Sequence, residues 1–405
     1  MNMENKIKEI IDQNRNNIAF VIGNGVNRRF LSDVKSWMEL LESLWNKYGS
    51  RLPKNYEWEE FLDTDEDNNA KGLKGITLTE IFDLIELNWY SQAANSERQA
   101  YFRSGIKLPI TMKSLSPIER EGLKEMLEYS YSKSRAELIN EFQGKNRKLE
   151  EKCREWCNDN LLEADRLSDF ECVLKMMEVL SNSTKNQLYR NQLKKDIAHE
   201  YDNQKDNSDF SRLMEILKGM NAPVLTTNFD NYMSDSLGLK PIKMGAKFTD
   251  FYPWNVYFSD RDLYSPIDGF GIWHVNGMID YPRSIKIGLS DYMGCVERAR
   301  NMIHSTNMNE FFDGKNNDFW VGRNTWLHVV FNKPLFVFGL ALDENEVFLR
   351  WLLIQRAKYS RMYGRPLGGW FVDKGISNGK QVFLKALGFH VLNITDYNEL
   401  YDAFV

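Results

Sequence analysis

Cysteine is scarce in this chain. Its 405 residues hold four, Cys153, Cys157, Cys172 and Cys295, too few and too scattered for a disulfide framework. Cys153 and Cys157 lie four apart in a helical stretch and so share a face. No nearby histidine completes a four-ligand zinc site, however, and no paired CxxC ribbon occurs. The thiols read as reduced structural groups. An excess of positive charge is also lacking: 52 Lys and Arg face 57 Asp and Glu, for a formal net charge of −5. General affinity for nucleic acid, which needs surplus cations at the phosphates, is thereby disfavoured, although a local basic patch is not. Long apolar runs are missing, none approaching the ~18–20 residues that cross a bilayer. The opening stretch, residues 1–10, has no apolar core of a secretory signal. The expectation is a cytoplasmic protein without membrane association.

What is plentiful is aromatic surface, with 11 Trp, 18 Tyr and 24 Phe to fill a large core. Residues 4–16 read as a short polar helix, 18–22 as an apolar strand, and Gly23-Asn24-Gly25-Val26-Asn27 as a loop. A helix is expected to start near Ser32 or Asp33, either of which could cap it. Val34, Trp37, Met38, Leu41 and Trp45 then form its core-facing stripe. Between about 76 and 215 the text becomes rich in Glu, Lys, Arg, Leu and Met. There Phe170, Val173, Leu174, Met177 and Leu180 fall on one helical face, and the Lys/Glu-rich run 133–156 reads as one long exposed helix. From 216, apolar runs at 223–225, 270–275, 334–339, 369–372 and 389–392 read as buried strands. Helices are expected at Glu346–Ser360 and at Lys380–Leu387, the second closed by Gly388, with a last short one at Tyr397–Phe404. The pattern predicts an α/β fold: a Rossmann-like, mostly parallel sheet flanked by helices, built from 1–75 and 216–405. A helical subdomain, 76–215, is inserted into it or packed beside it.

Four segments carry candidate chemistry. Pro223-Val-Leu-Thr226-Thr227-Asn228-Phe-Asp230 leaves an apolar run through polar groups, which a strand would present at its carboxyl end, the edge where open α/β sheets bind ligands. Asn228 both donates and accepts without charge, so it can hold a water or an amide. Asp230 reads either as a site residue or as the cap of a helix running toward Leu237. A second polar-tipped run, 18–25, supplies two glycines at GxG spacing, where amides can approach a phosphate at a helix start. The third glycine of that fingerprint is replaced by Arg28. Trp273-His274-Val-Asn276-Gly-Met-Ile-Asp280 holds the one histidine of five that lies among other polar candidates, able to take a proton from a hydroxyl or water. Finally, Phe336–Glu346 is a strand, Gly339 and an acidic helix start. Asp343 or Glu346 there would hold a ribose hydroxyl, or else merely answer the helix dipole.

Taken in order, Gly23-Asn-Gly25-Val26 with Ser36-Trp-Met-Glu-Leu-Leu41, Thr226-Thr-Asn-Phe-Asp230, His274-Val-Asn-Gly277, Leu289-Ser-Asp-Tyr292 and Phe338-Gly-Leu-Ala-Leu-Asp343 resemble the sirtuin-like domains of bacterial anti-phage defence proteins. The resemblance implies cleavage of NAD+ to nicotinamide and ADP-ribose, depleting an infected cell. It implies a catalytic pair made of the asparagine of the Thr-Thr-Asn segment, Asn228, and a histidine. The family's histidine commonly precedes the glycine, where this chain has Asn276, with His274 two residues earlier. In a strand those two positions share a face. The family's glycine loop reads Gly-Ala-Gly-Val-Ser, whereas Asn24 and Asn27 stand here in place of its small residues. Gly23, Asn24, Gly25, Val26 and Asn27 are thus expected at the pyrophosphate, Thr226, Thr227, Asn276, Gly339 and Asp343 along the rest of NAD+, and Asp230 as a steadying group. No metal is expected, since the zinc-ribbon cysteines of protein deacylases are missing.

The resemblance further implies an enzyme held off until triggered. It would work as an oligomer or in a complex with a separately encoded sensor, such as a nucleotide-binding protein, a HerA-type ATPase or an Argonaute-type protein. The helical middle and the aromatic-rich loop 248–264 are the expected contact surfaces. The alternative is a non-catalytic module that binds NAD or ADP-ribose and signals to a partner. Protein deacylation is a third option, made remote by the missing zinc ribbon.

Overall fold

The computed structural model describes residues 2–15, 17–49, 56–64, 70–92, 115–130, 134–159, 167–201, 207–245, 248–305 and 320–404. Short apolar runs make the strands: β1 (Ala19–Ile22), a separate hairpin of β2 (Leu62–Thr64) and β3 (Ala70–Leu73), then β4 (Val224–Thr226), β5 (Lys240–Lys243), β6 (Val256–Ser259), β7 (Ile272–His274), β8 (Leu335–Phe338), β9 (Gly369–Lys374) and β10 (Phe389–Ile394). The main sheet runs β10-β9-β8-β1-β4-β7-β6-β5. From β10 to β7 every neighbour is parallel, while β6 and β5 close one side antiparallel. Counted in chain order, the six parallel strands lie 3-2-1-4-5-6. This is the doubly wound arrangement of dinucleotide-binding folds, whose order reverses beside the first strand. Here the reversal falls between β1 and β8. The expected Rossmann-like α/β fold is therefore the observed one.

Strands covered on both faces must be apolar throughout, and every residue of β1 and β8 is buried. Pairing of Val21 with both Leu225 and Val337 aligns one face of the sheet. Ala19, Val21, Leu225, Trp273, Val275 and Val337 there join a core shared with the helices Leu289–His304, Trp326–Asn332 and Val347–Met362. The alternate positions point the other way, where Phe20, Phe336, Phe338 and Phe404 pack ring against ring at 5.5–6.4 Å between centroids. That second face also carries Thr226 and His274, register partners on adjacent strands.

Four local readings are corrected. The expected loop 23–27 is the start of a helix, Asn24–Phe30, with Gly23 as its N-cap. The helix expected from Ser32 or Asp33 instead begins at Trp37, because Asp33 sits at φ 57° and Ser36 forms a capping box with Glu39. The run read as one exposed helix splits, from residue 134 on, into Arg135–Phe142 and Arg147–Asp159. Gly144, at φ 79°, breaks it, and Leu138, Leu149, Cys153 and Cys157 are buried along its inner side. The aromatic stretch 248–264, read as a loop, contains β6, all of it buried.

The chain divides into two compact units, 1–85 with 194–405, and 86–193. The sheet belongs to the first. The second has its own small core, in which Leu123, Leu149, Cys153, Cys157, Phe170 and Val173 meet. Its boundaries fall inside the helices Leu78–Gln92 and Asp169–Glu200. Among the described residues no helix is long and apolar enough to cross a membrane.

Candidate functional site

The reversal between β1 and β8 is built on close backbone approach. A Cβ on Gly23 would lie 2.5 Å from the Gly339 carbonyl oxygen, and one on Gly25 would lie 2.8 Å from the same atom. Gly339 itself has φ 64°, and a Cβ there would meet a Val26 methyl at 2.7 Å. Only glycine satisfies all three positions. The approach also engages the amides that a phosphate-binding turn would offer. The Gly25 N–H donates to the Gly339 carbonyl at 2.8 Å, Gly23 to Phe338 at 3.3 Å, and Val26 to Gly23 at 3.2 Å. The glycine turn thus welds two strand ends together.

Against this weld opens a cavity of about 610 Å³, lined by Asn24, Gly25, Thr227, Gly339, Asp343 and Glu346, with Trp37 beside them. That volume lies in the range of small-molecule and cofactor sites, and its position is the one the fold reserves for ligands. Arg28, Arg29 and Lys374 give its rim positive charge, relieved by Asp373. Asn24, Gly25, Thr227, Gly339 and Asp343, all expected site residues, line this space. Gly23, Val26, Asn27, Thr226, Asn228, Asp230, His274 and Asn276 do not, and form a buried layer at the same end of the sheet.

In that layer the ends of β4 and β7 are stitched together. The Asn228 amide N–H donates to Thr226 Oγ1 at 3.1 Å, and His274 Nδ1 lies 2.8 Å from the Asn228 main-chain oxygen. A carbonyl oxygen only accepts, so Nδ1 carries the proton and Nε2 is left with its lone pair. His274 is 2% exposed, and burial drives its pKa down to about 4, keeping the ring neutral. Nε2 has no hydrogen-bond partner, nor does either side-chain atom of Asn228, which is 6% exposed. The side-chain oxygens of Asn27 and Asn276 are likewise unmatched. Buried polar atoms without partners are uncommon and cost about 1–3 kcal/mol each. Their concentration at the tips of β4, β7 and the helix Asn24–Phe30 marks a place suited to a polar ligand.

Asp230 is committed to local structure. Its carboxylate oxygens accept from Asn27 Nδ2 at 3.0 and 2.9 Å, and one also accepts from the Tyr232 amide at 3.2 Å. It fastens the helix Asn24–Phe30 to the turn after β4. Burial pushes its carboxyl up to about 7 despite these donors.

Two groups beyond the expected set complete the site. Glu346, weighed in the sequence only as a ribose or dipole partner, is 8% exposed, and its Oε2 accepts from Asn276 Nδ2 at 3.4 Å. Burial, with Asp343 nearby, raises its carboxyl to about 7. Tyr292, on the helix Leu289–His304, buries a hydroxyl that has no partner. Its tyrosine was visible in the sequence, but nothing in the spacing signals where the hydroxyl ends up. A second cavity, about 570 Å³, lies between Lys195, His199, Tyr232, Asp235 and Asp280 and reaches none of the expected site residues. Among the described residues, no group of three or more His, Cys, Asp or Glu is arranged to hold a metal ion.

No known protein family and no curated protein matches this chain.

Proposed function

We propose that this protein hydrolyses the N-glycosidic bond of NAD+, releasing nicotinamide and ADP-ribose, as a sirtuin-like effector of anti-phage defence. One observation carries the reading. The unpartnered side-chain amide of Asn228 and the free Nε2 of His274 both lie at adjacent strand tips, at the same sheet end as a cavity at the switch point of a dinucleotide-type sheet. NAD+ suits such a set of atoms. Its hydroxyls and carboxamide can donate and accept, as Asn228 requires, and a ribose hydroxyl or water can donate to Nε2. The cationic rim favours the pyrophosphate, which the engaged glycine amides are poorly free to hold.

In the reaction the C1′–N bond breaks with its electron pair moving to the ring nitrogen, so nicotinamide leaves neutral. Water then bonds to C1′ and gives up a proton. Asn228 orients the nicotinamide ribose or the water, and His274 fixes the neighbouring hydroxyl or water through Nε2. Unchecked turnover would drain the host cell, so activity waits on a separately encoded sensor of the nucleotide-binding, HerA-type or Argonaute-type kind. The test is nicotinamide release from NAD+ by the wild type and by Asn228→Ala. A loss of roughly 10²–10⁴-fold is expected for removing a group that acts in the transition state. Undiminished release by the variant overturns the assignment.

A second reading, a non-catalytic module for NAD or ADP-ribose, is favoured by the depth of His274, which is buried, titrates near 4 and lies off the cavity wall. Binding of intact NAD+ without turnover, partner included, would select it.

A further inference from the structure

A hydrolase at this site needs an acceptor for the proton of the attacking water, and the buried histidine is poorly suited to it. His274 stays neutral but is a weak base, and its ring is not part of the cavity lining. Glu346 is different in each respect. It lines the cavity wall at the start of the helix Val347–Met362, and Asn276 holds its carboxylate at one oxygen. Among the described residues no lysine or arginine forms an ion pair with it.

We propose that Glu346 is a catalytic residue of this site, its carboxylate taking the proton from the water that attacks C1′ of the nicotinamide ribose. The assignment rests on the hydrolase reading above. The balance is complete: water oxygen bonds C1′, nicotinamide departs with the former bonding pair, and the water proton passes to a Glu346 oxygen, later to solvent. Three elements surround the group. Asp343 shares its loop, Asn276 reaches it from the end of β7, and Tyr292 approaches from the helix Leu289–His304. The other charged groups on the cavity are Arg28, Arg29, Asp373 and Lys374. Burial and the Asp343 charge disfavour the carboxylate and bring its titration to about 7, where a general base works best.

The experiment follows kcat and KM for NAD+ against pH, on the full chain with any partner it requires. The wild type is expected to show a rising limb centred near 7. Glu346→Gln, which keeps the shape and can still meet Asn276, is expected to lose about 10²–10⁴-fold in kcat and to lose the limb, with KM changed only a few-fold. Burial is the main cause that holds the carboxyl up and the Asp343 charge the second, so Asp343→Asn moves the limb part of the way to lower pH, a readout that survives if the glutamine variant misfolds. Turnover in Glu346→Gln with the limb intact, or a limb unmoved in Asp343→Asn, overturns the role while leaving the hydrolase standing. A wild type that releases no nicotinamide under any of these conditions removes both.

Discussion

Asp230 and Glu346 are carboxylic acids whose ordinary values are 3.8 and 4.5, and burial lifts both to about 7. A folded-state pKa above the unfolded one means that the folded chain holds the proton more tightly. The resulting stabilisation is whole below the unfolded value and disappears as pH climbs through 7. His274 runs the opposite way, its neutral form favoured above 6.5 and its contribution lost as pH falls through about 4. Asp230→Asn deletes one of the two carboxyl contributions while leaving an amide to face Asn27. Its Tm should therefore decline less steeply than that of the wild type as pH rises from about 4 to 7. Parallel Tm curves for the two proteins would refute this account. The polar tips of β4 and β7 were legible in the sequence because apolar runs ended there in residues that favour water. What the text could not disclose is that Asn228 has no partner, or that Asn276 meets a carboxylate seventy positions away. Such facts belong to the fold, and no local period encodes them.

The short helix Asn24–Phe30 shows why an element can hide. Its sequence, Asn-Gly-Val-Asn-Arg-Arg-Phe, contains a glycine and two asparagines, weak helix formers, and it is fixed by the Gly25–Gly339 contact across the sheet. The next helix announces itself with Ser36 and Glu39 at capping-box spacing, a signal overshadowed by Ser32 and Asp33 just upstream. Ser36 Oγ accepts from the Glu39 amide at 3.2 Å, and Glu39 Oε2 accepts in turn from the Ser36 amide at 2.6 Å. Ser36→Ala removes the first of these, and a loss of about 0.5–2 kcal/mol in urea unfolding is expected. An unchanged midpoint would mean that packing of Leu40, Leu41 and Leu44 alone holds the helix. Most later strands were readable within a few residues because apolar runs of three to six residues mark them. β5 and β6 escaped notice: one is short and half charged, the other is concealed among aromatic residues.

Across the whole molecule, strand order was beyond the sequence, since runs of similar apolar text do not say which lies beside which. Long-range polar pairs were equally hidden. Lys194 Nζ lies 2.7 Å from Asp291 Oδ1, with both side chains almost wholly out of water. Removing one partner strands the other's charge, so Lys194→Ala should cost about 3–5 kcal/mol. The double replacement Lys194→Met with Asp291→Leu should restore most of that loss. A single variant as stable as the wild type would show that water reaches the pair. The sheet's outer strand has a further bearing on how other chains can meet this one. β5 reads Lys240-Pro241-Ile242-Lys243, and its proline has no N–H to give to a newcomer, while its lysines repel a basic strand. A companion that extends this sheet by backbone pairing would thus have to join at the far margin, along β10.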